Sequence, residues 1–418
     1  MCNNNRQCRK FDAGTMCPSY RITKDEQHVT RGRANTLRLA LSGQLGSDGL
    51  ASVEVKEALD LCVSCKGCKR DCPTGVDMAK MKIEARVAWG ARHGVGLRER
   101  LVAYMPRYAG FAGHIGGVLH TLEHTPVLGA AVKKLLGFAT ERSLPVFRKS
   151  FLKSIPAQAN PVVASNTSST GKEVLLFVDT FNNSIDVENA QAAQQVLGAA
   201  GYTVHFNSVA GQRPLCCGRT FLSAGLVEQA KQEARRALDA LTPFVKRGVP
   251  IVGLEPSCLL TMRDEFLHYG WGEEAQALSD SAMLFEEFLV REHKANRLTL
   301  PLAAIQTDTV LLHGHCHQKA FDALTPVQTV LSWIPGLKVS TIESSCCGMA
   351  GSFGYEAEHH EASLAMAEIS LLPAVRKRQA NTVVVADGTS CRHQIKDGAQ
   401  ADAIHTARLL AQALTTKV

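Results

Sequence analysis

The sequence has no run of 18 apolar residues, so it predicts no membrane-spanning helix. Its first residues, 1–5, lack the apolar stretch of a secretory signal. We therefore expect a cytoplasmic protein with at most peripheral contact at the inner face of a membrane. Its 418 residues, 45% of them apolar and 20% charged, suffice for two or three domains with hydrophobic cores.

Phosphate-binding and nucleic-acid-binding patterns are also missing. Gly348-x2-Gly351-x2-Gly354 has neither the preceding strand nor the spacing of a dinucleotide fingerprint, so we expect no nicotinamide or flavin domain in this chain. No basic stretch is interleaved with aromatic residues, as single-strand binding requires. The formal charge of +7 permits docking on an acidic protein or anionic lipid and does not indicate nucleic acid.

Cysteine, in contrast, is plentiful: 14 residues fall into three groups. The most specific group is Cys62-x2-Cys65-x2-Cys68-x3-Cys72-Pro73, which has the bacterial spacing for iron–sulfur ligation. A second group, Cys2, Cys8 and Cys17, lies upstream, and Pro18 follows Cys17. The third group forms two Cys-Cys-Gly copies. Paired cysteines in a long cytosolic chain bind metal or do redox work more often than they form disulfides.

The first two groups predict one complete cluster site and one incomplete site. In two-cluster ferredoxins the proline-flanked cysteine reaches the other cluster. Cys17, Cys62, Cys65 and Cys68 would thus hold one 4Fe–4S cluster. Cys72 would join Cys2 and Cys8 at a second site. This site is one ligand short, because Asn5 stands where the second cysteine of the upstream motif would fall. That second site could be empty, hold three irons, or hold four irons with another ligand. A pair of zinc sites is the structural alternative for the region.

The chain after residue 171 alternates strand and helix, which predicts parallel sheets with helices on their faces. Val310–Leu312 matches Val174–Leu176, and Cys346-Cys347-Gly348 matches Cys216-Cys217-Gly218, so we infer a tandem duplication. The predicted fold is α/β, with a helical ferredoxin-like N-terminal domain and two tandem Cys-Cys-Gly domains. The predicted domains are residues 1–100 (iron–sulfur), 101–171 (helical or linker), 172–300 (first Cys-Cys-Gly) and 301–418 (second).

The second Cys-Cys-Gly copy offers four cysteines, each after a predicted strand: Cys316, Cys346, Cys347 and Cys391. Because the carboxyl ends of parallel strands share one edge of a sheet, these cysteines predict a metal or cluster site holding zinc, iron or a non-cubane cluster. His315 and His317 are candidate ligands, as are His313 and His393, although each single histidine could equally be a polar loop residue.

The first copy keeps Cys216, Cys217 and Cys258 but has Thr180 at the position equivalent to Cys316. Threonine is a poor ligand for soft metals. We therefore expect the first copy to be degenerate, or its cysteines to be buried structural residues, and the second copy to be the functional one.

This sequence resembles the iron–sulfur part of FAD-linked D-2-hydroxyacid dehydrogenases. The resemblance is carried by the motif around Cys17, the stretch Thr30–Asn35, the Cys62–Pro73 motif and the two Cys-Cys-Gly copies. They are also similar, more remotely, to the glycolate oxidase iron–sulfur subunit and to the Cys-Cys-Gly subunit of heterodisulfide reductase. The resemblance implies an oxidoreductase subunit. It would relay electrons from FAD on a partner, which oxidises D-lactate, glycolate or D-2-hydroxyglutarate, to a quinone or a soluble carrier.

Two other functions compete with this one. A thiol–disulfide reductase would carry out its chemistry at a cluster or metal in the second Cys-Cys-Gly site. A zinc-stabilised scaffold would only dock a flavoprotein. The segment Leu119–Phe138 is apolar and basic enough to touch a membrane surface, but we expect it to be a buried interdomain helix.

Overall fold

The computed structural model describes residues 4–11, 14–155 and 172–415. Cys2 lies outside the described residues. In the N-terminal part, the described segments form helices without strands. These helices are α1 (Pro18–Thr23), α2 (Thr30–Leu41), α3 (Val53–Asp60), α4 (Gly67–Asp71), α5 (Met78–His93), α6 (Leu97–Ala103), α7 (Met105–Ala112), α8 (Gly116–His124), α9 (Pro126–Leu135) and α10 (Phe151–Ser154). Short 3-10 turns cover Gln7–Arg9, Glu26–His28 and Gly49–Ala51.

The first α/β unit contains a four-stranded parallel sheet in the order β2-β1-β3-β4. Its elements are β1 (Glu173–Phe177), α11 (Thr180–Ser184), α12 (Val187–Ala199), β2 (Thr203–Phe206), α13 (Arg219–Ser223), α14 (Val227–Lys246), β3 (Ile251–Gly253), α15 (Pro256–Met262), α16 (Gly272–Ser281), β4 (Ala282–Leu284) and α17 (Phe285–Lys294). A 3-10 turn covers Glu265–His268.

The second unit repeats the topology, with a parallel sheet in the order β6-β5-β7-β8. Its elements are β5 (Thr309–Leu312), α18 (Cys316–Ala320), α19 (Leu324–Ser332), β6 (Lys338–Thr341), α20 (His360–Glu368), α21 (Leu371–Arg376), β7 (Thr382–Val385), α22 (Thr389–Ala399), β8 (Ala403–Ile404) and α23 (Thr406–Ala413). Two 3-10 turns cover Phe353–Tyr355 and Ala357–His359. The predicted parallel sheets with helices are confirmed.

The two sheets share a hydrophobic core. Val174 and Leu176 of β1 pack in the same buried cluster as Val310 and Leu312 of β5, and α12 packs on α23. The alternation of buried apolar strands with amphipathic helices explains this layering, because a strand buried on both faces reads as a continuous apolar run. The two sheet units therefore pack directly against each other.

Three features of the structure differ from what the sequence predicts. The sequence pattern over Leu222–Arg247 predicts one long helix, but the structure divides it, because Gly225 has a left-handed φ of 75° that ends α13 before α14 begins. The short strands β4 and β8 were not anticipated, since two or three residues give no periodic signal. The segment Leu119–Phe138 is not a buried interdomain helix: in α8 and α9, side chains such as Val118, Val127 and Leu135 are exposed.

The glycine of each Cys-Cys-Gly motif is fixed by its backbone. Gly218 and Gly348 both have a φ of 82°. A Cβ atom at Gly218 would fall 2.6 Å from the Ala230 carbonyl oxygen, and one at Gly348 would fall 2.2 Å from the Ser363 oxygen. The chain therefore turns here only with glycine, and each turn places two adjacent cysteines at the edge of a sheet.

We predict that Gly218→Ala destabilises the protein more than Gly201→Ala. Gly201 also has a left-handed φ, 81°, but a Cβ atom there meets nothing within 4 Å. Alanine at Gly201 should cost roughly 1–2 kcal/mol through its backbone alone. At Gly218 the clash should add roughly 1–3 kcal/mol. Thermal unfolding followed by circular dichroism compares the two, and equal midpoints would show that the close approach to Ala230 is unimportant.

Candidate cysteine-lined sites

Four cysteines of the N-terminal helices line one cavity. Cys17, Cys62, Cys65 and Cys68 are all buried and all face the same space, together with Arg33 and Met78. Cys17 precedes α1, the other three surround the start of α4, and the thiols of Cys17, Cys62 and Cys68 influence one another electrostatically. The structure thus brings together the four residues that the motif assigns to a complete cluster.

Arg33 is the charged partner of this cavity, and only 1% of it is exposed. Its guanidinium donates to Cys17 Sγ at 3.4 Å, to Ser19 Oγ at 2.8 Å and to the Ala58 carbonyl at 2.8 Å. Burial raises the pKa of the Cys17 thiol, but the charge of Arg33 and the hydrogen bond with Ser19 outweigh burial, so this pKa lies below its ordinary value. The Cys17 thiol is therefore favoured as a thiolate, whereas burial raises the pKa of Cys68 to about 12.

From the sequence, the stretch Thr30–Arg33 could bind an anion or an acidic partner, or could equally be a solvated helix start. The sequence does not show which of its two arginines is buried. In the structure α2 turns Arg33 inward and leaves Arg31 half-buried at the surface. Gly32 permits this packing, since a Cβ atom there would fall 1.7 Å from the Glu26 carbonyl oxygen.

The predicted second cluster site is described only in part, because Cys2 lies outside the described residues. Cys8, in the 3-10 turn Gln7–Arg9, and Cys72, at the end of α4, are half-buried and pack against the core that contains Cys17 and Cys68. The turn around Cys8 contacts α4. Cys72 Sγ lies 3.1 Å from Thr74 Oγ1. Neither cysteine lines the cavity of the first four.

The four cysteines of the second Cys-Cys-Gly copy form a chain of contacts. Cys346 contacts both Cys316 and Cys347, and Cys347 contacts Cys391. Cys316 is the first residue of α18, Cys391 is the third of α22, and the Gly348 amide donates to Cys346 Sγ at 3.4 Å. All four are buried and unbridged. Helix starts and backbone amides around a group of thiols stabilise thiolate charge.

His313 joins this group more closely than the two histidines singled out from the sequence. One of its ring nitrogens and the sulfurs of Cys347 and Cys391 lie within 4.8 Å of one another. Its Nδ1 is 3.0 Å from Ser344 Oγ, and its buried Nε2 has no hydrogen-bond partner among the described residues. A soft metal or cluster would suit this donor set of sulfur and imidazole nitrogen.

His315 and His317 have other contacts. His315 Nδ1 accepts a hydrogen bond from the His317 amide and caps α18. The ring of His315 lies beside Gly388, where a Cβ atom would fall 2.4 Å from His315 Cδ2 and 3.3 Å from Cys391 Sγ. His317 Nε2 is 3.2 Å from the Ser64 carbonyl oxygen. His393 Nδ1 is 2.5 Å from Tyr355 Oη.

The first copy has the same geometry with one substitution. Thr180 is the first residue of α11, as Cys316 is of α18, and Cys258 is the third residue of α15, as Cys391 is of α22. Cys216, Cys217 and Cys258 form a small buried cluster, and burial and their mutual contacts leave the pKa of Cys216 well above its ordinary value. The fourth position of the thiol set is thus a hydroxyl in this copy.

The cavity lined by the four N-terminal cysteines adjoins the second Cys-Cys-Gly site. Cys65 packs in the same buried group as Cys316, Cys346, Cys347 and Cys391, and its pKa is raised by burial and by the neighbouring Cys316 thiol. The contact between Ser64 and His317 crosses the same boundary. The two thiol groups are therefore neighbours, although Cys316 follows Cys68 by 248 positions in the sequence.

Buried ion pairs, together with one polar contact to His317, join the three parts of the protein beside this junction. Lys66, next to Cys65, donates to Asp264 Oδ2 at 2.6 Å and lies 2.8 Å from Glu265 Oε1. Glu265 also pairs with Arg219 at 2.8 Å, and Arg219 Nη2 is 3.5 Å from His317 Nε2. Removing one partner of such a buried network is strongly destabilising, because an uncompensated charge remains.

Comparison with known proteins agrees with this picture. Residues 1–76 match the family model of a 4Fe-4S dicluster domain, and residues 310–396 match that of a Cysteine-rich domain. The chain is 26% identical over 436 residues to D-2-hydroxyglutarate dehydrogenase of Escherichia coli, covering 94% of this chain and 42% of the relative. The chain thus spans well under half the length of that relative.

Two shorter relatives are subunits of larger enzymes. The chain is 24% identical over 422 residues to the glycolate oxidase iron-sulfur subunit of Escherichia coli, covering 95% of this chain and 91% of the relative. It is 27% identical over 253 residues to a subunit of the anaerobic glycerol-3-phosphate dehydrogenase of Escherichia coli, covering 60% and 62%. The protein is therefore an iron–sulfur and Cys-Cys-Gly protein related to oxidoreductases of the dehydrogenase class.

One ion-pair group outside the thiol sites gives a pH prediction. His359 lies between Glu356 Oε2, at 2.6 Å, and Asp60 Oδ2, at 2.9 Å, and so links α3 to the second sheet unit. Burial lowers the pKa of His359, but the two carboxylates outweigh burial and raise it to about 9.

The stabilisation by His359 should be complete below its ordinary pKa, roughly 6.5, and should decline as pH rises through about 9. We predict that His359→Gln lowers the thermal midpoint most near pH 6 and least near pH 10. The exposed His120→Gln serves as control. A midpoint difference for His359→Gln that stays constant over this range would contradict the prediction.

Proposed function

We propose that this protein is the iron–sulfur electron-transfer part of a FAD-linked D-2-hydroxyacid dehydrogenase of the D-lactate, glycolate or D-2-hydroxyglutarate class. Cys17, Cys62, Cys65 and Cys68 would hold a 4Fe–4S cluster, and such a cluster accepts and gives up one electron at a time. The FAD would lie on a separate partner subunit, and a quinone or soluble carrier would be the acceptor. The observation that carries the proposal is the convergence of these four cysteines on one buried cavity with Arg33.

The residues around the cavity have distinct tasks in this proposal. The thiols supply the ligands, Arg33 balances their negative charge, and the Met78 amide donates to Cys68 Sγ at 3.4 Å. Hydrogen bonds to ligand sulfurs and burial are the means by which a protein tunes a cluster's potential. Cys72, Cys8 and Cys2 would form the second, incomplete site.

We further propose that the second Cys-Cys-Gly site holds a metal or cluster close to the first one. Cys316, Cys346, Cys347 and Cys391 are its ligand candidates, and the position of His313 adds a fifth. The shared burial of Cys65 and Cys316 favours electron passage between the two sites. The 2-1-3-4 strand order of both sheets supports the view that residues 172–300 are a second, degenerate Cys-Cys-Gly domain.

The alternatives receive different support from the geometry. A disulfide substrate would need access to a thiol, yet Cys346, Cys347 and Cys391 are each at most 3% exposed, which argues against a thiol–disulfide reductase. A zinc ion would accept His313, Cys347 and Cys391 as ligands as readily as iron would, so the zinc-stabilised scaffold remains the second candidate.

We predict that Cys17→Ser, purified without oxygen, loses about four iron atoms per chain and the EPR signal of the reduced cluster. Cys216→Ser is the matched control: this buried cysteine belongs to the degenerate copy and should leave both readouts at the wild-type level. The assignment fails if Cys17→Ser keeps the wild-type iron content and signal.

The two copies provide a matched pair for the other site. Cys391 and Cys258 occupy the same helix position in their units. We expect Cys391→Ser to lower the content of protein-bound metal by atomic emission, whereas Cys258→Ser leaves it unchanged, because only the second copy has four thiols. Loss of zinc instead of iron would select the scaffold. Equal losses in the two variants would remove the distinction between the copies.

A further inference from the structure

A cleft of about 490 Å³ opens between the N-terminal helices and the two sheet units. Its apolar wall is formed by α3, α5 and their neighbours: Leu50, Val55, Leu59, Trp89, Val95 and Val102. Thr220 and Ser223 of α13, from the first sheet unit, and Glu356 and His359, from the second, also line it. Its volume is typical of a small-molecule site, and its lining combines apolar side chains with ionisable groups, among them Lys82, Arg86, Arg98 and His359.

The inner wall of the cleft adjoins the cavity of the four cysteines. Lys82 lines the cleft, and its ammonium donates to the Cys62 carbonyl at 2.6 Å. Val55 and Leu59, which also line the cleft, pack in the same buried group as Cys17, Cys62 and Cys68. A molecule in the cleft would thus be separated from the proposed cluster by a single layer of side chains.

Two of the basic groups in the cleft, His359 and Arg98, are paired with carboxylates, whereas Lys82 and Arg86 donate to backbone carbonyls. His359 lies between Asp60 and Glu356, and Arg98 donates to Glu358 at 2.8 Å. The carboxylates beside His359 and Arg98 are thus already paired, and the apolar wall of the cleft offers contact area to a neutral ring. The Asp60 side chain is 44% exposed, so the buried His359 is connected to solvent through one carboxylate.

An apolar hairpin, α8 and α9 (Gly116–Leu135), leads directly into a segment that contacts residues lining this cleft. Arg98, which lines the cleft, donates to the carbonyl oxygen of Gly137 at 2.7 Å, and Phe138 forms a backbone bridge with Glu356. Exposed apolar side chains cover the hairpin, among them Val118 (62%), Val127 (81%) and Leu135 (86%).

The charge of the hairpin favours a lipid surface. Glu123 is its single acidic residue, and that carboxylate is half-buried and paired with Lys133 at 3.0 Å. Its exposed surface therefore combines apolar side chains with the basic Lys134 and carries no exposed acid. Such a surface binds at the interface of an anionic bilayer. No helix among the described residues is long and apolar enough to span one.

From this arrangement we propose that the cleft binds the head group of a membrane quinone, while the hairpin rests on the bilayer that supplies it. This inference rests on the proposed function, from which the electrons come. Oxidation of the 2-hydroxyacid to the 2-oxoacid releases two electrons and two protons. The quinone takes up two electrons, and each of its two carbonyl oxygens gains one proton from solvent by way of Asp60, His359 and Glu356, giving the quinol.

The geometry favours a quinone over a soluble protein carrier. A protein carrier would dock on an exposed surface near the cluster, yet all four ligand cysteines are at most 8% exposed. The cleft, in contrast, admits a small planar molecule to within one side chain of Cys62. The exposed apolar side chains of the hairpin suit the isoprenoid tail of such a molecule.

The test places a bulky side chain in the cleft by substituting Ser223. Ser223 is exposed, ends α13 and lines the cleft; Ser332 is exposed, ends α19 and does not line it. Ser223→Trp and the control Ser332→Trp are purified anaerobically as full chains, reduced with dithionite, desalted, and mixed with decylubiquinone or ferricyanide. We expect Ser223→Trp to lower the ratio of quinone rate to ferricyanide rate at least tenfold, and Ser332→Trp to leave it unchanged.

The outcomes separate the two proposals. If wild-type protein holds no iron and gives no EPR signal on reduction, the proposed function fails. If the cluster is present and ferricyanide reoxidises it, but Ser223→Trp keeps the wild-type ratio, the cleft is not the quinone site. A wild-type protein that reduces ferricyanide and never decylubiquinone would overturn the quinone and favour a soluble carrier.

The hairpin has its own test by flotation with vesicles of phosphatidylethanolamine and phosphatidylglycerol. We expect the wild type and Leu41→Glu, which changes an exposed leucine outside the hairpin, to float. The double variant Val127→Glu, Leu135→Glu should stay in the soluble fraction. Failure of the wild type to float, or flotation of the double variant at the wild-type level, would overturn the membrane contact.

Discussion

The structure depends on the burial of many thiols beside a few compensating cations. Thiolate ligands cannot leave water without partners, because a buried charge is costly unless it is paired or hydrogen-bonded. Arg33 supplies that compensation to Cys17, and Lys66 and Arg219 anchor the surrounding elements through Asp264 and Glu265. The ion pairs of Lys66 join the N-terminal helices to the first sheet unit, and Arg219 extends this network to His317 of the second, whereas the cavity itself is lined by residues of the N-terminal helices, 16–79.

That constraint gives the duplicated sheets a purpose. Two parallel sheets of the same order share a buried apolar core, and each unit carries a Cys-Cys-Gly turn with two adjacent buried thiols. In the second unit the thiols contact one another next to Cys65, whereas in the first unit Thr180 interrupts the set. We interpret the first unit as a support that retains the shape of the site and presents Arg219 and Glu265 to the second.

Much of this arrangement could be predicted from the sequence because it is local. The spacing of Cys62, Cys65 and Cys68 and the apolar strands at Val174 and Val310 are signals within short windows. What could not be predicted depends on contacts across the chain. The burial of Arg33, the approach of His313 to Cys347 and the exposure of the hairpin are all decided by packing between distant segments. The histidine motif, in particular, does not reveal that His315 caps a helix while His313 faces the thiols.

The most direct test of the central claim is the iron and acid-labile sulfide content of the wild-type protein purified under anaerobic conditions, together with its EPR spectrum after reduction. The account predicts at least about four irons and four sulfides per chain and the signal of a reduced 4Fe–4S cluster. Zinc without iron or sulfide would contradict it.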